Sequence, residues 1–298
     1  MANLSRRSHP TCLVRGSGDI GSAVAHALFR GGFAVALHDV PSPAYPRRGM
    51  AFIDALFDGG ALLEGVPARH VADTEVLRMM ALRGSAVPAF CGTLEQAVAA
   101  LDADVIVDAR MRKREAPEVQ LGLAALTLGL GPGFVAGRTV DLAVETAWGE
   151  MLGAVIGHGA PAPLCGEPRM ILGHSRARFV YAPVGGRIES RHRIGDEVVK
   201  GDEVARIGST PLHAPLTGVL VGLTRPGVAV REGAKVVEVD PRGERRLAFG
   251  IGERGRTIAA GVLRAVESAF VAPAHAPSLV RTRERRTGAR FIEWRGTP

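Results

Sequence analysis

The amino-acid sequence predicts an α/β chain: a parallel sheet covered by helices on both faces, followed by a small all-β barrel. Three observations carry this prediction. From residue 11 to about 158, short apolar runs alternate with segments of helical period. A glycine-spaced turn, Gly16, Gly18 and Gly21, joins the first apolar run to the first helical segment. From 181 to 240 the chain repeats itself at an offset of 32 residues.

The elements follow in order. "TCLVRG" from Thr11 reads as a buried strand. "DIGSAVAHALFRGG" reads as a helix stopped by Gly31 and Gly32. "FAVALHDV" is a second strand that ends near Asp39. "TLEQAVAALDA" is a helix with Thr93 as N-cap and Gln96 three residues on, a capping box. "DVIVDAR" is a further strand, and "LAALTLGLGPGF" is a strand that runs into a glycine loop. Residues 159–177 are rich in proline and glycine and read as an inter-domain linker. "GRTIAAGVLRAVESAF" is an amphipathic helix with Ile258, Val262, Leu263 and Val266 on one side.

In the repeat, residues 181–208 align without gaps on 213–240. The two copies share Ala182/Ala214, Pro183/Pro215, Gly186/Gly218, Arg193/Arg225, Gly195/Gly227, Val198/Val230, Gly201/Gly233 and Val204/Val236. Each copy reads as three strands with glycine turns, and each fills the open face of the other. "IGDEVVKGDEVARIG" followed by "APLTGVL" resembles the biotinyl/lipoyl-type hammerhead, the barrel-sandwich hybrid. Carrier domains of that kind present a lysine on the hairpin between the halves. Here that hairpin is "GSTPLH", Gly208 to His213, so no biotin or lipoate is expected.

The expected organisation is therefore a disordered N-terminus (1–10), a Rossmann-like nucleotide- or anion-binding domain (11–158), the linker (159–177) and a barrel-sandwich hybrid domain (178–241). A C-terminal helix region (242–270) and a disordered basic tail (271–298) follow. Hydrophobic residues make up 46% and charged residues 22% of the chain, the balance of a globular protein. No apolar run approaches a membrane span and the N-terminus lacks a signal-peptide core, so a cytoplasmic protein is expected. The net charge is +7, but residues 281–298 hold six arginines against two glutamates and account for +4 of it. The body thus lacks the aromatic-interleaved basic face that nucleic acid requires. Cys12, Cys91 and Cys165 are widely spaced; Cys12 is expected to be buried, and Cys165, in the linker, is the one thiol worth watching.

The first glycine turn has the context of a dinucleotide site, with a strand before it and a helix beginning within it. Asp39 stands where such domains place the acid that binds a ribose 2′-hydroxyl. Two residues point elsewhere. Asp19 sets a negative charge at the first helical turn, which complements the helix dipole and repels a pyrophosphate. Arg15 is free either to pair with Asp19 or to reach an anion. The second loop, Gly129, Gly131 and Gly133, follows a strand, so it falls on the same sheet edge, where open parallel sheets bind ligands. Asp108 and Arg110 end another strand, and Arg47 and Arg48 follow the second one. The candidate binding set is therefore Arg15, Gly16, Gly18, Asp19, Gly21, Asp39, Arg47, Arg48, Asp108, Arg110, Gly129, Gly131 and Gly133. It reads as a set for anion recognition. No catalytic spacing and no metal-ligand cluster stands out, and Trp148 reads as a packing residue.

Together these pieces resemble the YqeB-type, selenium-dependent molybdenum-hydroxylase accessory proteins. The resemblance rests on "VRGSGDIGSAVAHAL", Arg47–Arg48 with "FIDALFDG", "DVIVDAR", "LGLGPGFVAG", "VETAWGEMLGAVI", the two repeat segments and "RTIAAGVL". It spans most of 13–265 in that family's order. It implies a maturation or assembly factor for a molybdenum-cofactor hydroxylase related to xanthine dehydrogenase. Its partners would be that hydroxylase or its maturation machinery and a small anionic ligand, with self-association an open option. It also implies that Arg15 and Asp19 belong to the motif. At 146–150, "TAWGE" stands where the family has a basic residue, glycine and histidine, so selenium dependence is not carried over. Two other readings stay open. One is an NAD-dependent oxidoreductase; the other is a non-catalytic scaffold whose first loop is locked by an Arg15–Asp19 pair.

Overall fold

A computed structural model describes residues 10–270, except 113, 114, 165 and 167. The expectations for the two termini and for Cys165 fall outside the described residues.

The first region holds β1 (Thr11–Arg15), α1 (Asp19–Arg30), β2 (Ala34–His38), α2 (Ala55–Asp58), β3 (Gly60–Leu63), β4 (Val66–Val71), α3 (Thr74–Arg83) and β5 (Val87–Phe90). It continues with α4 (Leu94–Leu101), β6 (Val105–Asp108), β7 (Leu126–Leu130), β8 (Leu142–Val144) and β9 (Val155–Ile156). The nine strands form one sheet in the order β3-β4-β5-β2-β1-β6-β7-β8-β9.

The strands are parallel from β4 to β8 across the sheet, but β3 and β9 run antiparallel at the two edges. Every residue of β1 is buried. Cys12 and Val14 face one core, with α1; Leu13 faces the other, with Leu77 of α3 and Ala97 and Leu101 of α4. The capping box is present as read: Thr93 accepts from the Gln96 N–H, and Gln96 accepts from the Thr93 N–H.

The second region holds β10 (Phe179–Tyr181), β11 (Gly186–Glu189), β12 (Glu197–Val198), β13 (Glu203–Ile207), β14 (Thr210–His213), β15 (Gly218–Leu223), β16 (Ala229–Val230) and β17 (Lys235–Asp240). They make two antiparallel sheets, β10-β17-β15-β12 and β14-β13-β11-β16. The two copies exchange a short strand, since β12 of the first copy pairs with β15 of the second and β16 of the second with β11 of the first. Ile188, Leu212, Leu220 and Val237 are part of the core between them.

The expected fold class is corrected on both counts. The first sheet is mixed, because the "GALLEGVPARHV" hairpin adds β3 and the return of the chain after β8 adds β9. The second region is a pair of four-stranded sheets that recruits β10 from before the repeat. The barrel-sandwich description is not retained for it.

Helix α5 (Glu253–Phe270) returns to the first region and covers the α1 face of the sheet through Ile258, Ala259, Val262 and Val266. Its start lies beside that of α1: a Cβ on Gly255 would stand 3.1 Å from the Ala23 Cβ and 3.8 Å from the Asp19 carbonyl oxygen. The two regions are tied by Arg48, which donates to the Leu223 carbonyl at 3.0 Å and to both Asp54 carboxylate oxygens at 2.9 Å. Arg225 adds a bidentate pair with Asp58 at 2.6 and 2.5 Å. No helix among the described residues is long and apolar enough to cross a membrane.

Candidate anion site at the strand ends

Side chains alternate across a strand, so Arg15 shares the α3/α4 face with Leu13, while α1, which Asp19 opens, lies on the other face. The sheet therefore separates the two residues that sequence set side by side. Arg15 pairs with Asp108 at 3.3 Å, and Asp19 pairs with Arg47 at 3.3 Å. The Arg15–Asp19 lock of the scaffold alternative is therefore replaced by two distinct clusters.

The first cluster gathers at the C-terminal ends of β1 and β6. The buried Asp108 carboxylate accepts from Arg15 Nη1 at 3.3 Å, Arg110 Nε at 3.0 Å, Arg110 Nη2, and Gln120 Nε2 at 2.7 Å. Burial opposes the Asp108 charge, but the Arg110 guanidinium outweighs it and holds the carboxyl below its usual range. Burial likewise opposes the Arg110 charge, and its bonds to Asp108 and Glu118 push its pKa up. For Arg15 burial prevails and its pKa falls. Glu118 bridges Arg110 and Arg112, and the Arg110 bond is the chief reason its pKa is drawn down to about 2. Beside this cluster lies a small recess bounded by Asp108 and Arg112 on one side and Leu130, Pro132 and Phe134 on the other. The second glycine loop thus does meet Asp108, as its place at the end of β7 implied. Gly129 makes room for the Phe134 ring, which would lie 2.2 Å from a Cβ there. Gly131 and Gly133 shape the turn beside Thr146 and Pro117.

The second cluster lies on the α1/α5 face. Arg47 forms a bidentate pair with Glu238 at 2.8 and 2.6 Å, and Glu238 also accepts from Arg178 at 2.8 Å and Lys235 at 3.1 Å. The Tyr45 ring packs on Gly18, and its hydroxyl is pushed up by burial and then by the Asp19 charge. Arg254 donates to the Thr146 carbonyl at 2.9 and 2.7 Å. Arg48 is engaged with Asp54 and Leu223 as described. Neither Arg47 nor Arg48 joins Asp108 and Arg110, contrary to the single pocket expected.

Asp39 is also placed differently. Its carboxylate accepts from the Ser17 N–H and the Ser17 hydroxyl, both at 2.6 Å, and from the Val40 N–H at 2.8 Å. The acid expected to face a ribose holds the glycine turn instead. Asp39→Ala is therefore expected to lower folding stability by about 2 kcal/mol, the scale of charged hydrogen bonds lost. Urea denaturation measures this, and an unchanged midpoint would show that the carboxylate does not hold the turn.

Sequence reasoning missed Ser17, Tyr45, Arg112, Glu118, Gln120, Arg178, Glu238 and Arg254. The "DARMRKRE" run was the one local signal, and it pointed only at Arg112. Trp148, expected to pack, is partly exposed and stacks under the Arg169 guanidinium at 4.4 Å. Among the described residues no group of three or more His, Cys, Asp or Glu side chains is arranged to hold a metal.

Against known proteins, the chain is 36% identical over 270 residues to the protein of Escherichia coli K12 named "Uncharacterized protein YqeB". The match covers 88% of this chain and 49% of that protein, so the chain spans about half the length of this relative. The likeness supports assignment to the YqeB family. No family model matches.

Among solved structures, the chain is similar to a succinylglutamate desuccinylase/aspartoacylase from Rhodobacter sphaeroides, 19% identical over 78% of this chain and 85% of that one, at a TM-score of 0.25. It is also similar to the ectoine utilization protein EutE (DoeB) of Ruegeria pomeroyi, 14% identical with the same coverages, at a TM-score of 0.23. At TM-scores this low the likenesses carry no argument.

Proposed function

We propose that this YqeB-family chain is an accessory factor in the maturation of a molybdenum-cofactor hydroxylase. In this reading it binds a nucleotide or another small anion at the C-terminal edge of its central strands, and the β region docks a partner. The process comes from the resemblance of its motifs, in order, to the YqeB-type accessory proteins. The anion site rests on one observation: Arg15 and Arg110 converge on the buried Asp108 at the ends of β1 and β6, with Arg112 and a recess beside them. Guanidinium forks suit phosphate or carboxylate oxygens; Arg15 is buried and Arg110 half-buried. The oxidoreductase reading loses support, because Asp39 is committed to Ser17.

Thermal-shift and calorimetric titration with nucleotides, molybdopterin forms and inorganic oxyanions is the direct test. A ligand present at 100 times its Kd is expected to stabilise the fold by about 2.7 kcal/mol. Arg110→Gln is expected to abolish that gain. No stabilisation by any anion would refute the site. A deletion strain with a fully active, cofactor-replete hydroxylase would refute the maturation role.

A further inference from the structure

Glu118 is unlike the other carboxylates of the strand-end cluster. Asp108 is buried on a strand, whereas the Glu118 side chain is 55% exposed and lies on the irregular segment between β6 and β7. Its carboxylate nevertheless reaches three guanidinium groups: Arg110 at 2.6 Å, Arg112 at 2.5 Å and Arg15 at 4.0 Å. Exposed ion pairs contribute little and exchange easily with competing anions. With Glu118 swung away, Arg15, Arg110 and Arg112 face the single buried charge of Asp108; the more exposed Glu115 touches only Arg112, at 3.3 Å. An excess of positive charge would remain.

Two polar atoms of the side chains that hold Asp108 are buried with no partner among the described residues: Arg15 Nε and Gln120 Oε1. Both side chains already hold Asp108, Arg15 through Nη1 and Gln120 through Nε2. The cluster thus keeps one unused guanidinium donor, on Arg15.

We propose that Glu118 is a tethered occupant of the anion site. Its carboxylate stands where the phosphate group, or another oxyanion of the ligand, binds, and ligand entry displaces it. The inference rests on the strand-end anion site proposed above and specifies how that site is filled. An ionic group of fixed geometry on the ligand replaces the two carboxylate oxygens on Arg110 and Arg112, and no bond is made or broken.

The test is calorimetric titration of the full chain at constant ionic strength with inorganic phosphate and with adenosine monophosphate, and with adenosine as the control. Glu118→Gln removes the competing charge and is expected to tighten binding about two- to fivefold, the worth of an exposed ion pair. Glu118→Asp, which keeps the charge but shortens the arm, is expected to tighten it as well. Arg112→Gln is expected to weaken it.

Tightening towards phosphate alone identifies a free oxyanion as sufficient. Tightening only towards the nucleotide identifies a phosphate monoester. If the parent binds a probe and the Glu118 variants bind it no better, the tethered-occupant inference is overturned while the anion site stands. If neither parent nor variants bind any probe, or if adenosine binds as well as its monophosphate, the tethered-occupant inference falls; the anion site itself falls only if the wider set of anions also fails to stabilise the fold.

Discussion

Glu238→Gln is expected to cost about 3–5 kcal/mol of folding stability, the scale of breaking a buried ion pair from one side. Glu238 is fully buried on β17, and three cations converge on it: Arg47, Arg178 and Lys235. Glutamine has the same size, so no cavity opens and the effect isolates the charge. The amide presents one acceptor and two donors to three donor side chains, which leaves at least one cation buried and opposed by a dipole of the wrong sign. The consequence is not confined to β17. Arg47 also reaches Asp19 at the start of α1, so its loss of Glu238 loosens the segment that joins the nine-stranded sheet to the β region. Urea denaturation gives the measurement, and a loss below about 1 kcal/mol would mean that the cations find other partners.

The same carboxylate sets an acid limit. Burial opposes its charge, but Arg47 and Lys235 outweigh burial and hold its pKa far below the ordinary 4.5. The stabilisation is therefore complete above 4.5 and is lost as pH falls towards the folded value. Asp108 and Glu118 are shifted in the same direction and add to the loss in the same acid range. The parent is expected to lose stability steeply below pH 4.5, and Glu238→Gln to show a shallower slope over that range.

What sequence made legible is local. The β1–α1–β2 unit, the capped helix α4 and strands β6 and β7 each carry their own signal: an apolar run, a cap or a glycine stop. Strands β3 and β4 escaped because their turn is Glu64–Gly65, with Glu64 at φ 45° and Gly65 at φ 80°. A glutamate there lacks the signature of an Asn-Gly or Asp-Gly hairpin, although the geometry has the same positive φ angles. Strand β9 has two residues and no pattern to read. The site divides in the same way. Arg15, Asp108 and Arg110 end apolar runs, and their placement at the sheet edge follows from topology alone. Their partners do not. Arg47 meets Glu238 across 191 residues, and Asp39 meets Ser17 across the end of a neighbouring strand. Nearness in sequence allowed Asp19 as a partner for Arg15, and the alternation of side chains across the sheet excludes it.

Gly21→Ala is expected to destabilise the protein by about 3 kcal/mol or more, the upper range for overpacking a close contact. Alanine is the better helix former by about 1 kcal/mol, so local propensity alone predicts the opposite sign. Space decides it. A Cβ at 21 would stand 1.9 Å from the Gly16 carbonyl oxygen, and both sides of that contact are backbone. Gly16 has no room to yield: its φ is 102°, and the Arg110 Cα lies 2.9 Å from where its own Cβ would be. The turn is thus held between α1 and the end of β6, and moving it moves Arg110. Gly21→Ala should therefore also weaken anion binding, although residue 21 touches none of the arginines. Urea denaturation without ligand separates the two origins of the glycine. A glycine kept only so that a phosphate can approach would leave the ligand-free fold intact, whereas a packing glycine shows its full loss there. A midpoint equal to that of the parent would refute the packing role of this turn.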